Sequence, residues 1–528
     1  MPATSTLRTS LAVFAVVAGL FMGLLDLSIV SIVIPEIGRA LDAEFTELSW
    51  VVNAYVLVTA AAIIPAGKLG DAIGRKRVFG MGMAIFAVAS LLCGIAPNAG
   101  SLIAFRALQG LGGAGMVTLS LALLTSVLPD GKQRIGWMLW SATGGLALAA
   151  GPSLGGVLTE YSSWRWVFMV NVPIAAIALP LLILNVAERK GASLRGVRLD
   201  WAGLATVVGG LTFLSLGLLQ GQQWGWTSVP ILALLAGAAA SLSAFLIIES
   251  VVAAPMVPLR YFRNPRFSAA SAGWFGAMFA FISIFFFLPV YLEVVREYSV
   301  LKASLALSPG PFMAFLMAPF AQIFARKRGA GPVVVVGIAI IASAVFVSSF
   351  IDTDWSYGQL VLLAVFTGVG FGLAVPTLTE LAMGALDEAD LGVGAGVFNT
   401  VRQVAAVIAI ASLGAALQER MVSSFASALG GSSLADGIKP AIQQEFERRA
   451  AQRGGLTEGE IPPELAVEIQ HLASVALVDG LQLVFLIAAG VAVSALVVAS
   501  GLLIATRARG HTEEREPALR GTVTPEVV

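Results

Sequence analysis

The 528-residue chain is 57% hydrophobic and only 12% charged, with 32 basic and 32 acidic residues and a single cysteine, Cys93. Its mean hydropathy is +0.88. A soluble chain of this size carries about twice that charge. The zero net charge leaves no basic excess for a nucleic acid, and one cysteine excludes disulfides and cysteine metal sites.

Apolar runs fall at about 11–35, 48–67, 78–96, 101–128, 136–159, 165–187, 201–220, 229–248, 267–292, 303–325, 332–350, 357–383, 392–417 and 476–506. Each is near or above the roughly 20 residues that cross a bilayer as a helix. The expected class is therefore an all-α polytopic membrane protein with 14 transmembrane helices. Gly and Ser interrupt the seventh and eighth runs, so 12 or 13 spans stay open. The 56 glycines suit close helix packing in lipid.

The first run is too long for a signal-peptide core and lacks a small-residue cleavage site, so it reads as a retained span. It holds Asp26, which a 1.5 Å rise per residue places roughly 13 Å below the outer end. An acid at that depth is costly and marks a transport or proton pathway. Gly19, Gly23 and Asp26 share one helical face, so Asp26 is expected to face the bundle. The two histidines, His471 and His511, lie outside the apolar runs, leaving a proton relay to carboxylates.

After the second run comes Gly67-Lys-Leu-Gly-Asp-Ala-Ile-Gly-Arg-Lys-Arg-Val, read as a tight glycine-hinged turn with Asp71 amid four cations. Gly67, Asp71, Gly74, Arg75 and Arg77 form the expected gating loop. A plain positive-inside loop is the simpler reading. The fourth run carries Arg106 roughly 8 Å below the outer surface. Desolvation and this cation would act oppositely on Asp26, so the carboxyl can gain and lose a proton as access alternates. A static ion pair is the competing reading. In the fifth run Gly151, Pro152, Gly155 and Gly156 are expected to form a hinge, with a bend near Leu148; tight packing is the alternative.

The ninth run carries Trp274, Phe275, Met278, Phe279, Phe281, Phe285, Phe286 and Phe287. Such a wall suits large, flat, lipophilic cations, although phenylalanine also faces lipid. Ala325-Arg-Lys-Arg-Gly follows the tenth run as Gly74-Arg-Lys-Arg follows the second. That repetition suggests two six-helix bundles related about the membrane normal. In the twelfth run Glu380 is a second titratable or an interfacial acid. The thirteenth carries Asn399, Arg402 and Gln403. Glu293 and Asp479 are expected at headgroup level. Residues 418–475 are polar and read as an external helical hairpin whose arms open at Pro440 and Pro463, separated by an Arg453-Gly-Gly turn. Solvated decoration is the simple reading of this hairpin, and a gate or docking element the other.

The segments divide as 1–187 for the first bundle, 188–266 for a linker with two extra helices, 267–506 for the second bundle and 507–528 for a tail. Segments assigned inside hold Arg8, Lys68, Arg75, Lys76, Arg77, Lys132, Arg134 and most later cations, whereas the short external loops hold only Arg39, Arg165, Arg296 and Lys302. Both termini are thus expected in the cytoplasm. The two Gly-Lys pairs continue into Leu69 and Gln133, so no phosphate-binding loop of an ATP-driven exporter exists here.

The loop at 67–78 resembles the signature loop of the major facilitator superfamily. Leu25-Asp-Leu-Ser-Ile-Val-Ser-Ile-Val-Ile-Pro35, Trp50-Val-Val-Asn-Ala-Tyr-Val-Leu57, Arg106-Ala-Leu-Gln-Gly-Leu-Gly-Gly-Ala-Gly115, Gly151-Pro-Ser-Leu-Gly-Gly156 and Trp164-Arg-Trp-Val-Phe-Met-Val-Asn-Val-Pro173 resemble motifs of its 14-span drug:proton antiporters. One departure is Ala147, where that family has glycine. The resemblance implies a proton-coupled exporter in the cell membrane, not an enzyme, moving lipophilic cationic or zwitterionic drugs. It also implies a part in proton coupling for Arg106, which joins Asp26 and, as a further candidate, Glu380 as the expected coupling residues. The substrate pocket is expected to contain Asp26, Trp274, Phe275, Met278, Phe279, Phe285, Phe286, Asn399 and Arg402. No cofactor beyond the proton gradient is expected, and a monomer is expected to function. Export of lipid or an endogenous natural product is the alternative, and a membrane receptor acting through the external hairpin a remote one.

Overall fold

The structure is a computed structural model that describes residues 3–43, 45–129, 133–188, 200–252, 255, 257–386, 391–432, 434, 436–452 and 463–520. Among them there is helix and no strand. The helices are α1 (Ala3–Ile32), α2 (Ile34–Leu41), α3 (Phe45–Ile73), α4 (Arg75–Gly94), α5 (Ala99–Val127), α6 (Gln133–Tyr161), α7 (Trp166–Met169), α8 (Asn171–Asn185), α9 (Trp201–Trp224) and α10 (Val229–Val251). After them come α11 (Pro265–Ile282), a π turn (Ser283–Phe287), α12 (Leu288–Val294), α13 (Val300–Leu307), α14 (Pro309–Arg328), α15 (Ala330–Ser348), α16 (Tyr357–Met383), α17 (Leu391–Gly430), α18 (Lys439–Gln452) and α19 (Pro463–Arg520). Twelve helices among the described residues are long and apolar enough to cross a membrane. The 29-residue α3 and α6 occupy the places of the second and fifth expected runs.

Helices α1, α3 to α6 and α8 pack together, as do α11, α14 to α17 and α19. The seam between the groups is made by α17 against α3 and by α6 against α13 and α14. Of the inserted pair, α9 lies against α17 and α3, while α10 packs on α9.

The internal repetition is visible in the backbone. Gly74, at φ 110°, is the single residue between α3 and α4, and Gly329, at φ 84°, is the single residue between α14 and α15. Only glycine takes that left-handed region without strain. In each half the next helix pair is then drawn close by glycine. A Cβ on Gly112 would stand 2.6 Å from the Gly82 carbonyl, and one on Gly370 would stand 2.9 Å from the Gly337 carbonyl.

Two expectations are corrected. Residues 67–73 are not a tight turn: α3 continues to Ile73. Gly67 and Gly70 each weaken a helix by about 1 kcal/mol, but their bare faces meet Thr118 and Leu119 of α5, which offsets that weakness. The thirteenth span does not end near 417; α17 runs on to Gly430. Phe425 and Leu429 from this extension join Leu434, Phe446, Ile469 and Ala476 in a separate apolar cluster. Helix α19 continues past 507 to Arg520. The two helices of the polar segment open at the expected prolines, and the second runs into the last span. The basic stretch 189–199 and the Arg453-Gly-Gly turn lie outside the described residues.

Candidate functional site

Four helices bring a closed polar cluster into the middle of the first bundle. Asp26 of α1 and Arg106 of α5 are both fully buried. Arg106 Nη1 donates to Asp26 Oδ2, forming an ion pair, and also to Gln109 Oε1 at 2.7 Å. Its Nε donates to the Val51 carbonyl of α3 at 2.9 Å. Gln109 Nε2 donates to Asp26 Oδ1 and to Ser90 Oγ of α4, each at 2.8 Å. The amide therefore uses both hydrogens and its oxygen, as a buried amide should. The Tyr55 ring lies 4.4 Å from the Arg106 guanidinium, and its hydroxyl donates to the Gly23 carbonyl at 2.9 Å. Cys93 Sγ lies 3.8 Å from Gln109 Oε1.

The sequence builds this cluster by spacing and by absent side chains. Arg106 and Gln109 are three residues apart and so share one face of α5. On α1, Gly19 meets Phe79 and Met83 of α4, while Gly23 meets Met116 and Val117 of α5. The expected small-residue stripe therefore does turn Asp26 into the bundle. Gly113 leaves room for the Tyr55 hydroxyl, which a Cβ would approach to 2.8 Å. Protonating Asp26 would leave Arg106 a buried cation without its counter-ion, an arrangement costly enough to force rearrangement. A charge change here is thus felt by α1, α3, α4 and α5 at once.

The other expected residues are spread more widely. Glu380 is exposed on α16, apart from this cluster. At the signature joint, Lys76 Nζ donates to the Ile183 carbonyl at 2.7 Å, and Arg77 lies 3.7 Å from Glu188, so the start of α4 is tied to the end of α8. Arg75 is exposed, and the Asp71 side chain lies outside the described residues. Lys68, beyond the apolar stretch Glu47–Ile63, is held below the usual lysine range by burial, against the opposing pull of Glu249 and Asp200. Those two acids come from the inserted pair, so α9 and α10 address the same joint. Asp200 caps α9 through Gly203 N at 2.7 Å, and Glu249 accepts from Val257 N at 2.9 Å.

The glycines of α6 are packing positions. A Cβ on Gly151 would stand 2.6 Å from Ser28 Cβ and 2.9 Å from Ile29 N, and one on Gly155 2.7 Å from Ile32. Gly156 meets Ser304 of α13, and Ser153 and Ser308 hydroxyls lie 2.6 Å apart across the seam. Helix α6 is continuous through 148 and 152; the Pro152 side chain lies outside those described. Ser28 Oγ donates to the Ala147 carbonyl at 3.2 Å, adding a tie to α1 in this stretch.

Trp274, Phe279, Phe281, Phe285, Phe286 and Phe287 are buried, with Phe275 and Met278 half-buried. Some of this wall is internal packing: Phe281 stacks on Phe285 at 4.7 Å and meets Phe371 of α16 at 5.8 Å. Trp274 lies parallel to Phe398 of α17, with centroids 6.2 Å apart and planes 8° apart. Glu293 is nearly buried, 3.9 Å from Arg39 across the two halves. Asp479 is partly exposed and accepts from Ser424 Oγ at 2.6 Å. Asn399 is half-buried and donates to the Ala395 carbonyl at 3.2 Å. Arg402 is buried on α17, and its Nε and Nη2 have no hydrogen-bond partner among the described residues. The Gln403 side chain lies outside those described.

Sequence reasoning missed Gln109, Ser90 and Tyr55 as cluster members, and the π turn. The three-residue spacing of Arg106 and Gln109 was the available signal for the first of these.

Comparison with known proteins agrees with this architecture. The profile of the Major Facilitator Superfamily matches residues 16–410. A tetracenomycin C resistance and export protein of Streptomyces glaucescens is 31% identical over 505 residues, 95% of this chain and 92% of that protein. A methylenomycin A resistance protein of Streptomyces coelicolor is 31% identical over 405 residues, covering 76% and 84% of the two chains. Among solved structures, a bacterial homologue of the human lysosomal transporter Spinster, inward-facing and unoccupied, superposes with a TM-score of 0.63. It is 14% identical and the match covers 94% of this chain and 98% of that one, a likeness of fold.

Proposed function

The chain belongs to the Major Facilitator Superfamily, and from that membership we propose that it exports lipophilic, drug-like compounds from the cytoplasm in exchange for protons. The observation that carries this reading is the buried cluster of Asp26, Arg106 and Gln109. It holds a proton-accepting group deep in a helix bundle, where an acid is tolerated for function rather than stability. The names of the two relatives, one a resistance and export protein and one a resistance protein, support export as the direction.

The proposed cycle uses only these groups. Opened to the outside, Asp26 takes a proton and its hold on Arg106 weakens. The α1, α3, α4 and α5 contacts then rearrange, and the seam between the bundles passes to the inward-open state. Release of the proton inside restores the ion pair. In the cell membrane, with both termini cytoplasmic, each charge moved through 100 mV contributes about 2.3 kcal/mol.

The test uses full-length protein in proteoliposomes with an imposed pH gradient and a fluorescent lipophilic dye. Wild type is expected to move dye against proton flow, and Asp26→Asn to lose coupling. Undiminished, still pH-driven flux in Asp26→Asn would end the role of Asp26.

A further inference from the structure

Arg402 is the cation that the proton cycle leaves unused. It lies 11 residues past the start of α17, about 16 Å along the axis and so near mid-membrane. Only 9% of the residue is exposed, and among the described residues no carboxylate pairs with it. Its Nε and Nη2 are buried without a hydrogen-bond partner. By contrast Arg106, packed on the Tyr55 ring, has its donors engaged by Asp26, Gln109 and Val51. A guanidinium taken out of water with donors unmet is expensive, and in a membrane such a group points to a ligand or a counter-ion.

The surroundings say which ligand. Phe398 stands one turn before Arg402 on the same face of α17, and its ring lies parallel to that of Trp274. A flat apolar slab therefore adjoins an unpaired positive charge. Its helix, α17, packs against α3 of the opposite bundle, the helix that carries Tyr55. The position is thus at the seam between the halves, where substrate sites of two-bundle transporters form. Asp26 is an unsuitable counter-ion for a cationic compound here, because Arg106 and Gln109 already occupy both its oxygens. A free guanidinium would also repel such a cation.

We propose that Arg402 is an anion-binding residue of the export pathway, and that the transported compound is a flat, lipophilic molecule carrying a carboxylate or an ionised phenol. This rests on the export reading and replaces its expected cationic preference. The compound's ring system lies along Trp274 and Phe398, and its negative oxygen takes the vacant donors of Arg402.

The test compares 1-pyrenebutyrate with 1-pyrenebutyltrimethylammonium, which share a ring system and differ in charge. Binding to purified full-length protein in lipid nanodiscs is read by energy transfer from tryptophan, without any gradient. Wild type is expected to bind the carboxylate at least about tenfold more tightly than the ammonium. Arg402→Gln is expected to lose at least about tenfold in carboxylate affinity and to leave ammonium binding unchanged or tighter, as truncating one partner of a buried charge pair does. Arg402→Lys is expected to retain most of the preference. A preference for the ammonium, no carboxylate binding, or equal loss of both probes in Arg402→Gln overturns the proposal. If Arg402→Gln does not give monodisperse protein, thermal protection of wild type decides: protection by the carboxylate alone supports the site, and its absence refutes it. Flux under a pH gradient reports separately on export, so dye export with no anion preference sinks only this inference.

Discussion

Gly151→Ala distinguishes a packed helix crossing from a flexible hinge. The added Cβ would stand 2.6 Å from Ser28 Cβ and 2.9 Å from Ile29 N on α1, with Ser28 Oγ closer still. A rotamer change moves the hydroxyl but neither the Cβ nor the backbone nitrogen, so α1 and α6 must separate. Overpacking of that kind costs about 1–3 kcal/mol. Two variants make the reasoning checkable. Ser28→Gly removes the serine side chain and leaves only the backbone contact, so the double variant should recover part of the loss, with a coupling of about 0.5–3 kcal/mol. Gly490→Ala, where nothing lies within 4 Å, should cost nothing and gain helix propensity of up to about 1 kcal/mol. Unfolding of the purified protein in detergent supplies the energies, and dye flux in proteoliposomes supplies activity. An alanine at 151 as stable as wild type, or strict additivity with Ser28→Gly, would refute close packing. Lost flux at unchanged stability would restore the hinge.

Arg106→Lys keeps the charge but cannot serve Val51, Asp26 and Gln109 at once, because an ammonium lacks the planar fork; dye flux should fall at least about tenfold in protein that still folds. Gly74→Ala and Gly329→Ala should each destabilise by about 1–2 kcal/mol through left-handed backbone strain, and unfolding midpoints that match wild type would contradict the paired joints. Phe446→Ala removes a ring stacked 3.6 Å from Phe425 and should loosen the Phe425 cluster by about 3–5 kcal/mol, seen as rapid proteolysis near α18 while dye flux persists.

The spans were legible because bilayer thickness fixes their length and the sequence obeys it. Asp26 and Arg106 were legible because charge is rare in such runs. Gln109 was not, since a neutral amide in an apolar helix carries no signal until its partners are placed. Nor was the π turn at 283–287, where the run of phenylalanines reads equally well as regular helix. The boundaries that moved share one cause. Residues 67–73 and 418–430 are polar or glycine-rich, which suggests turns, but α5 and the Phe425 cluster give those turns of helix something to pack against. Tertiary contact decided what local propensity left open.

Cys93 has a practical consequence. It is the only thiol in the chain and it is buried beside Gln109. Maleimide dyes or nitroxides added to intact protein should therefore modify only cysteines introduced elsewhere, with no need for a cysteine-free background. Labels placed on the two bundles could then follow their separation through a transport cycle, while the native sulfur stays as a silent witness whose sudden labelling would announce that the interior had opened.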